Sequence, residues 1–477
     1  MEQTSHGQED FTLMPHKLSW KKLLSPERVP RSASSGSGPS ESATVGTGDI
    51  KKPDVSQDAR TPFEQDYDRI VFSPPFRRLA RKTQVHPMAS NDHIHNRLTH
   101  SIEVSSVGRS FAGRVAELAH RRSDLTADDF PKLPWILQSA CLIHDLGNPP
   151  FGHAGEEVIR DWTNEHSEWL FPEARFTSSE EREKCRLDWL NFEGNAQGFR
   201  LAARRDNPMP GYLRLTYASL SSAIKYPWPS FDPRATEKRK HNVYSSEFEL
   251  FEIMSAELGL TSADGRWCRH PLSFLTEAAD DICYRIIDPE DAVEMGICSH
   301  DQVHELFLRI ARKPDYHWMS LSQLRGQAIA SLMDQFWEVF ENDFDALMNG
   351  ERMVDLKSSL HDECQEQLEE VSRMYDSIFG HRKKIATELG AYHVLDRILK
   401  AMIKTAQSIH DANTYDDIHF LSKRTLELTW KQPYVEKNLA KPYSWWLSQV
   451  MDFVSGMTDD YATRLSREIW GLSSDGM

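Results

Sequence analysis

Cys141-Leu142-Ile143-His144-Asp145-Leu146-Gly147-Asn148-Pro149-Pro150-Phe151-Gly152-His153 is the stretch on which the reading of this chain turns. The largely apolar run from Trp135 to Ile143 reads as the end of a buried helix, and it delivers His144 and Asp145 side by side. Gly147 and the Pro149-Pro150 pair stop the helix there, because proline lacks an amide donor and clashes with the preceding turn. A histidine and a carboxylate at the end of a buried helix are costly unless something pairs with them. A divalent metal is one such partner, since imidazole nitrogen and carboxylate oxygen suit Zn, Mn, Fe or Mg according to how many of each are supplied. The same dipeptide at His361-Asp362 and His410-Asp411 lies in charged or polar surroundings and reads as a solvated helix face.

Working outward, the composition bounds the class. The chain has 477 residues, 39% hydrophobic and 27% charged, which describes a soluble globular body. Lys plus Arg is 56 against 72 for Asp plus Glu, a net charge of −16. That balance argues against a protein built to coat duplex nucleic acid, while leaving room for an anionic substrate in a local basic pocket. The six cysteines form no C-x-x-C pair, so reduced thiols in a cytoplasm fit best. No signal peptide and no stretch of membrane-spanning length is evident.

Residues 1–59 read as separate from the body. Ser32 to Gly48 is almost wholly Ser, Gly, Thr, Ala and Pro, too poor in apolar groups to offset its ordering entropy. Leu13 to Leu24 is a candidate short docking element. Order is expected from Arg60, where Phe63, Tyr67, Ile70 and Val71 carry helical spacing. Phe76-Arg77-Arg78-Leu79-Ala80-Arg81-Lys82 follows, read either as a solvated face or as a phosphate-binding rim. His93 and His95 sit in a polar loop and are read as exposed. His100, Val104, Val107 and Phe111 share one face of the next helix, which places His100 inward. Packed antiparallel against the helix ending at His144, that helix would make His100 a third ligand.

His153 and Glu156 are three residues apart and share a helical face. A carboxylate behind a histidine orients the ring and raises its pKa, as a general acid or base requires, although an ordinary surface pair has the same spacing. Asn191-Phe192-Glu193-Gly194-Asn195-Ala196-Gln197 reads as a turn into a helix. Lys225-Tyr226-Pro227 and Glu237-Lys238-Arg239-Lys240 add positive charge. From Phe274 to Asp288 a largely buried helix carries Asp280, Tyr284 and Asp288 on one stripe, as a fourth ligand and substrate contacts would need. The remainder shows helical spacing through Leu324–Phe344, Leu360–Phe379 and Leu395–Ile409, with no strand-like alternation. The fold class is all-α. It divides into a largely disordered Ser/Gly-rich segment over 1–59, an HD-like core over 60–300 and a helical C-terminal region over 301–477 packed on that core.

Together these phrases resemble a known family. His100, His144-Asp145 and Asp280 match the H…HD…D signature of HD-domain metal-dependent phosphohydrolases. Phe76-Arg77-Arg78-Leu79, Lys82-Thr83-Gln84-Val85, Arg97-Leu98-Thr99-His100-Ser101, the His144–His153 phrase, Asn191–Gln197, Ala279-Asp280-Asp281-Ile282-x-Tyr284 and Gly456-Met457-Thr458-Asp459 are similar to those of the deoxyguanosine triphosphate triphosphohydrolase (dGTPase) family. Two departures stand out, the Ser/Gly-rich segment before Arg60 and His241 after Lys240, where the family usually carries Gly.

The resemblance implies hydrolysis of a deoxynucleoside triphosphate, dGTP above all, to deoxynucleoside and inorganic tripolyphosphate. His100, His144, Asp145 and Asp280 would hold one divalent ion, Mg or Mn. Water would attack the α-phosphorus, and His153, oriented by Glu156, would protonate the leaving 5′-oxygen. Arg97, Lys225 and Lys240 would neutralise the triphosphate. Gln84 and Asp288 would bond the sugar 3′-hydroxyl, and Tyr284 would leave no room for a 2′-hydroxyl. Val85, Asn195 and Tyr226 complete the implied substrate contacts. A homo-oligomer, with a hexamer as one form, is implied as well, with nucleic acid only as a regulator. The rival classes are an HD nucleotidase or phosphodiesterase of other specificity and a non-catalytic nucleotide- or nucleic-acid-binding regulator.

Overall fold

The computed structural model describes residues 17–28, 59–82, 84, 94–203, 213–262, 265–379 and 382–472. Among them the chain is helical throughout, and pairing of extended backbone is limited to isolated bridges such as Arg28 with Thr216. The all-α expectation holds.

The site is carried by three helices whose ends are dictated locally. Helix α1 (Arg97–Arg122) starts at Asn96, whose side chain accepts the Leu98 and Thr99 amides while Thr99 returns the bond in a capping box. Helix α2 (Lys132–Ile143) buries almost every residue from Ile136 onward and packs along α1. Helix α3 (Pro271–Glu294) packs across both. It starts at Pro271, where a missing amide costs nothing, and continues through Pro289, which removes the amide that would bond the Arg285 carbonyl.

Two apolar clusters hold the molecule together. One runs from Leu18 through α1, α2 and α3 to Val371. The other joins Val158, Trp162 and Trp189 to Leu395–Leu465 near the C-terminus. Val303, Phe307, Leu324 and Phe336 belong to the same core as Val104 and Ile282, because amphipathic helices beyond 301 bury their apolar stripe on α3.

A difference lies near the N-terminus. Residues 17–28 are not separate from the body: Leu18, Trp20, Leu23 and Leu24 are buried in the first core. Trp20 donates its amide to Asp124 Oδ1 at 2.9 Å, Leu23 offers its carbonyl to His270 Nε2 at 3.1 Å, and Arg28 pairs with buried Asp66. The docking element thus spans the C-terminal part of the stretch proposed for it, while Leu13 to His16 and the Ser32–Gly48 segment lie outside the described residues.

Candidate active site

His100, His144 and Asp280 converge as the spacing required. Helix α1 turns His100 inward, where it is 2% exposed, and its Nε2 lies 3.1 Å from Asp280 Oδ1. His144 caps α2, and its ring centroid is 5.3 Å from that of His100. One ligand atom from each of the three lies within 4.8 Å of the others.

Asp145 stands beside this group without joining it. Its Oδ1 takes Arg97 Nη1 at 2.9 Å and Asn148 Nδ2 at 2.5 Å. Its Oδ2 is buried with no hydrogen-bond partner, and so is His144 Nε2. His144 Nδ1 donates to the Cys141 carbonyl at 2.6 Å, which leaves the lone pair on that orphaned Nε2. Two orphaned acceptors beside His100 and Asp280 make a donor set of two nitrogens and two oxygens, which fits a divalent ion. Burial opposes charge on His144, but Asp145 and Asp280 outweigh it and push its pKa up to about 9, so an ion taking the Nε2 lone pair would displace a proton from it. Burial likewise works against ionised Asp145, yet Arg97 and His144 hold it down to about 2.

The connection after α2 is tightly shaped. Phe151 and Gly152 are both left-handed, at φ 66° and 59°. Gly147 touches the first turn of the helix Gly194–Ala203 so closely that a Cβ there would lie 2.0 Å from the Gly194 carbonyl oxygen. His153 follows, 80% exposed at its side chain, with Nδ1 3.0 Å from Oε2 of Glu156. Glu156 is buried, and its other oxygen accepts the Gly194 amide at 2.8 Å. Burial would raise the Glu156 pKa, but His153 and Lys240 keep it down at about 2.

The three cations expected to bind phosphate are each tied to a carboxylate. Arg97 holds Asp145, Lys225 Nζ lies 3.3 Å from Asp280 Oδ2 and 4.0 Å from Glu277, and Lys240 bonds Glu193 at 2.7 Å. Asn195 also bonds Glu193, and it lines a small cavity with His144 and Asn242. Tyr226 donates its amide to Asn242 at 2.8 Å. Along α3, Tyr284 is half-buried and Asp288 buried on the Asp280 stripe. Gln84 has a buried amide oxygen without a partner. Val85 and His93 lie outside the described residues.

His95 is a correction, since it is not an exposed loop residue. It sits between Asp291 (2.7 Å) and Glu103 (3.2 Å), and its bonds to these two carboxylates raise its pKa to about 10. His410 is likewise half-buried, its ring 5.7 Å from that of Tyr443. Lys82, read with its neighbours as a solvated face or a phosphate-binding rim, is buried and bonds two backbone carbonyls instead; Glu193 and Asn148 lay in the family-like phrases without an assigned role, and Glu277 was not singled out. Glu277 left a signal of its own, standing one turn before Asp280 on the same helix face.

A His/His/Asp group at the meeting of three helices, with His100 buried and His144 and Asp280 half-buried, has the make-up of an HD site, and the HD domain family model matches residues 97–182. The chain is 40% identical to a deoxyguanosinetriphosphate triphosphohydrolase-like protein of Pseudomonas aeruginosa, over 89% of this chain and 97% of that one. It is 34% identical to a protein of the same name from Synechocystis sp., over 96% and 100% of the two chains. It is 37% identical to the deoxyguanosinetriphosphate triphosphohydrolase of Salmonella paratyphi A, over 51% and 52%. The chain belongs to the dGTPase family of HD-domain phosphohydrolases. No helix among the described residues is long and apolar enough to cross a membrane.

Proposed function

We propose that this protein hydrolyses deoxynucleoside triphosphates, dGTP preferred, to deoxynucleoside and tripolyphosphate with the help of a divalent ion. The observation that carries the reading is the pairing of Arg97, Lys225 and Lys240 with Asp145, Asp280 and Glu193 around the orphaned acceptors of His144 and Asp145. Cations held by carboxylates are placed to exchange them for phosphate oxygens. The preference for dGTP rests on the names of the relatives.

His100, His144, Asp145 and Asp280 are the residues to hold the ion, with Asp145 contributing its unbonded Oδ2. An ion bound there supplies a Lewis acid for the α-phosphate and lowers the pKa of water; Mg or Mn is the proposed identity. Arg97, Lys225 and Lys240 bind the triphosphate. His153 donates a proton from Nε2 to the departing 5′-oxygen, because Glu156 occupies its Nδ1. Glu156, buried and bonded by the Gly194 amide, fixes the ring direction although the ring itself is exposed. Gln84, Val85, Asn195, Tyr226, Tyr284 and Asp288 are proposed to line the sugar and phosphate positions, and the working form is proposed to be a homo-oligomer.

The test uses three variants with each dNTP and GTP, under Mg or Mn. Asp280→Ala should abolish turnover, His153→Asn should lower kcat by about 100-fold, and Lys225→Met should act mainly on KM. Full turnover in Asp280→Ala would sink the proposal.

A further inference from the structure

Lys82 is 3% exposed, and its ammonium is turned inward onto two carbonyls, Asn148 O at 2.5 Å and Ser455 O at 2.6 Å. The first belongs to the loop after His144-Asp145. The second ends the helix Tyr443–Ser455 and lies 373 residues away in sequence. Neither bond is to a carboxylate, and burial, with Arg78 and Arg97 adding to it, lowers the amine's pKa to about 7. A long flexible cation normally keeps its head in water, so one held here against its solvation calls for a role.

The same loop is held a second time from the same quarter of the chain. The Phe151 amide donates to Asp459 Oδ1 at 2.9 Å, and Asp459 is 3% exposed. That bond secures a non-glycine residue at φ 66°, a backbone state with its own cost. Between the two anchors, Asn148 donates its Nδ2 to Asp145 Oδ1 and thereby leaves Oδ2 free.

We propose that Lys82 and Asp459 are positioning residues that clamp the Asn148–Phe151 loop to the C-terminal helices, so that the C-terminal end of the chain sets the orientation of Asp145. The inference rests on the proposed function, in which Asp145 is a ligand. The aspartate is then aimed by a brace of Ser455, Lys82, Asn148 and Asp145 in series, which the separation of these residues in sequence conceals.

The test compares full-length wild type with Lys82→Met, Asp459→Ala and Asp459→Asn. Three readouts are Mn affinity by calorimetry, kcat and KM at saturating metal, and amide exchange over residues 146–152 without metal. Lys82→Met and Asp459→Ala should weaken Mn binding and lower kcat by about 10- to 100-fold, with KM nearly unchanged and faster exchange in the loop. Asp459→Asn keeps an oxygen for the Phe151 amide and should stay near wild type. If Lys82→Met does not fold, the two Asp459 variants carry the comparison. Wild-type Mn affinity and kcat in Asp459→Ala, or equal damage in Asp459→Asn, would overturn the brace while leaving the proposed function intact. A wild type that neither binds Mn nor turns over would overturn both.

Discussion

Arg97 occupies Asp145 now and is proposed to hold phosphate later, and the same double duty falls to Lys225 and Lys240. Such pairs keep a cluster of buried charge stable until a ligand replaces one partner. Glu156→Gln should lower kcat by about 100-fold with little change in KM, since the carboxylate that accepts from His153 Nδ1 and sets the ring direction is lost; steady-state kinetics decides it. His95 provides a pH signature of a different kind. Its folded pKa of about 10 lies above its ordinary 6.5, so the stability it contributes is complete below about pH 6.5 and is lost as pH rises towards 10. His95→Gln should destabilise by about 1–3 kcal/mol at pH 6 and by much less at pH 10, as denaturant unfolding at both pH values would show. The polar neighbours of His95 suggested exposure because its partner Asp291 lies 196 residues away and leaves no local mark. His100, by contrast, was legible, since Val104, Val107 and Phe111 set its face.

At the scale of elements, the turn at Gly147 and the helix Gly194–Ala203 interlock. A Cβ at Gly147 would fall 2.0 Å from the Gly194 oxygen and 2.1 Å from the Gly198 nitrogen, both backbone atoms that cannot swing aside. Gly147→Ala should therefore cost more than about 3 kcal/mol or prevent folding, visible as lost soluble protein or a collapsed unfolding midpoint. Arg200 joins the same helix to Tyr443–Ser455 through a two-pronged contact with Asp452 at 2.8 and 2.9 Å, and it also meets Glu247. Arg200→Met should destabilise by about 3–5 kcal/mol in urea unfolding, because it strands buried carboxylates. The helices themselves were legible from apolar spacing and proline stops. Their contacts were not, because charge pairs between distant helices obey no period.

At the scale of the molecule, the first apolar core takes in Leu18 to Leu24 with the three site helices, and the second takes in Trp446 to Leu465. The all-α class could be read from the sequence, and so could a docking element within Leu13–Leu24, but its apolar run is too short to show that Trp20 is fully buried in the main core. Trp20→Ala should cost about 3–5 kcal/mol in equilibrium unfolding, a loss that a merely appended segment would not produce. The return of residues 452–459 to the site was signalled only by the family phrase at Gly456–Asp459. The most direct measurement for the whole account is hydrolysis of dGTP by the full-length protein with Mn in heavy-oxygen water, with products separated and weighed by mass spectrometry. Attack of water on the α-phosphorus is expected to give unlabelled deoxyguanosine and tripolyphosphate carrying one heavy oxygen. Release of deoxyguanosine monophosphate or diphosphate, label in the nucleoside, or no turnover with any nucleotide would contradict it.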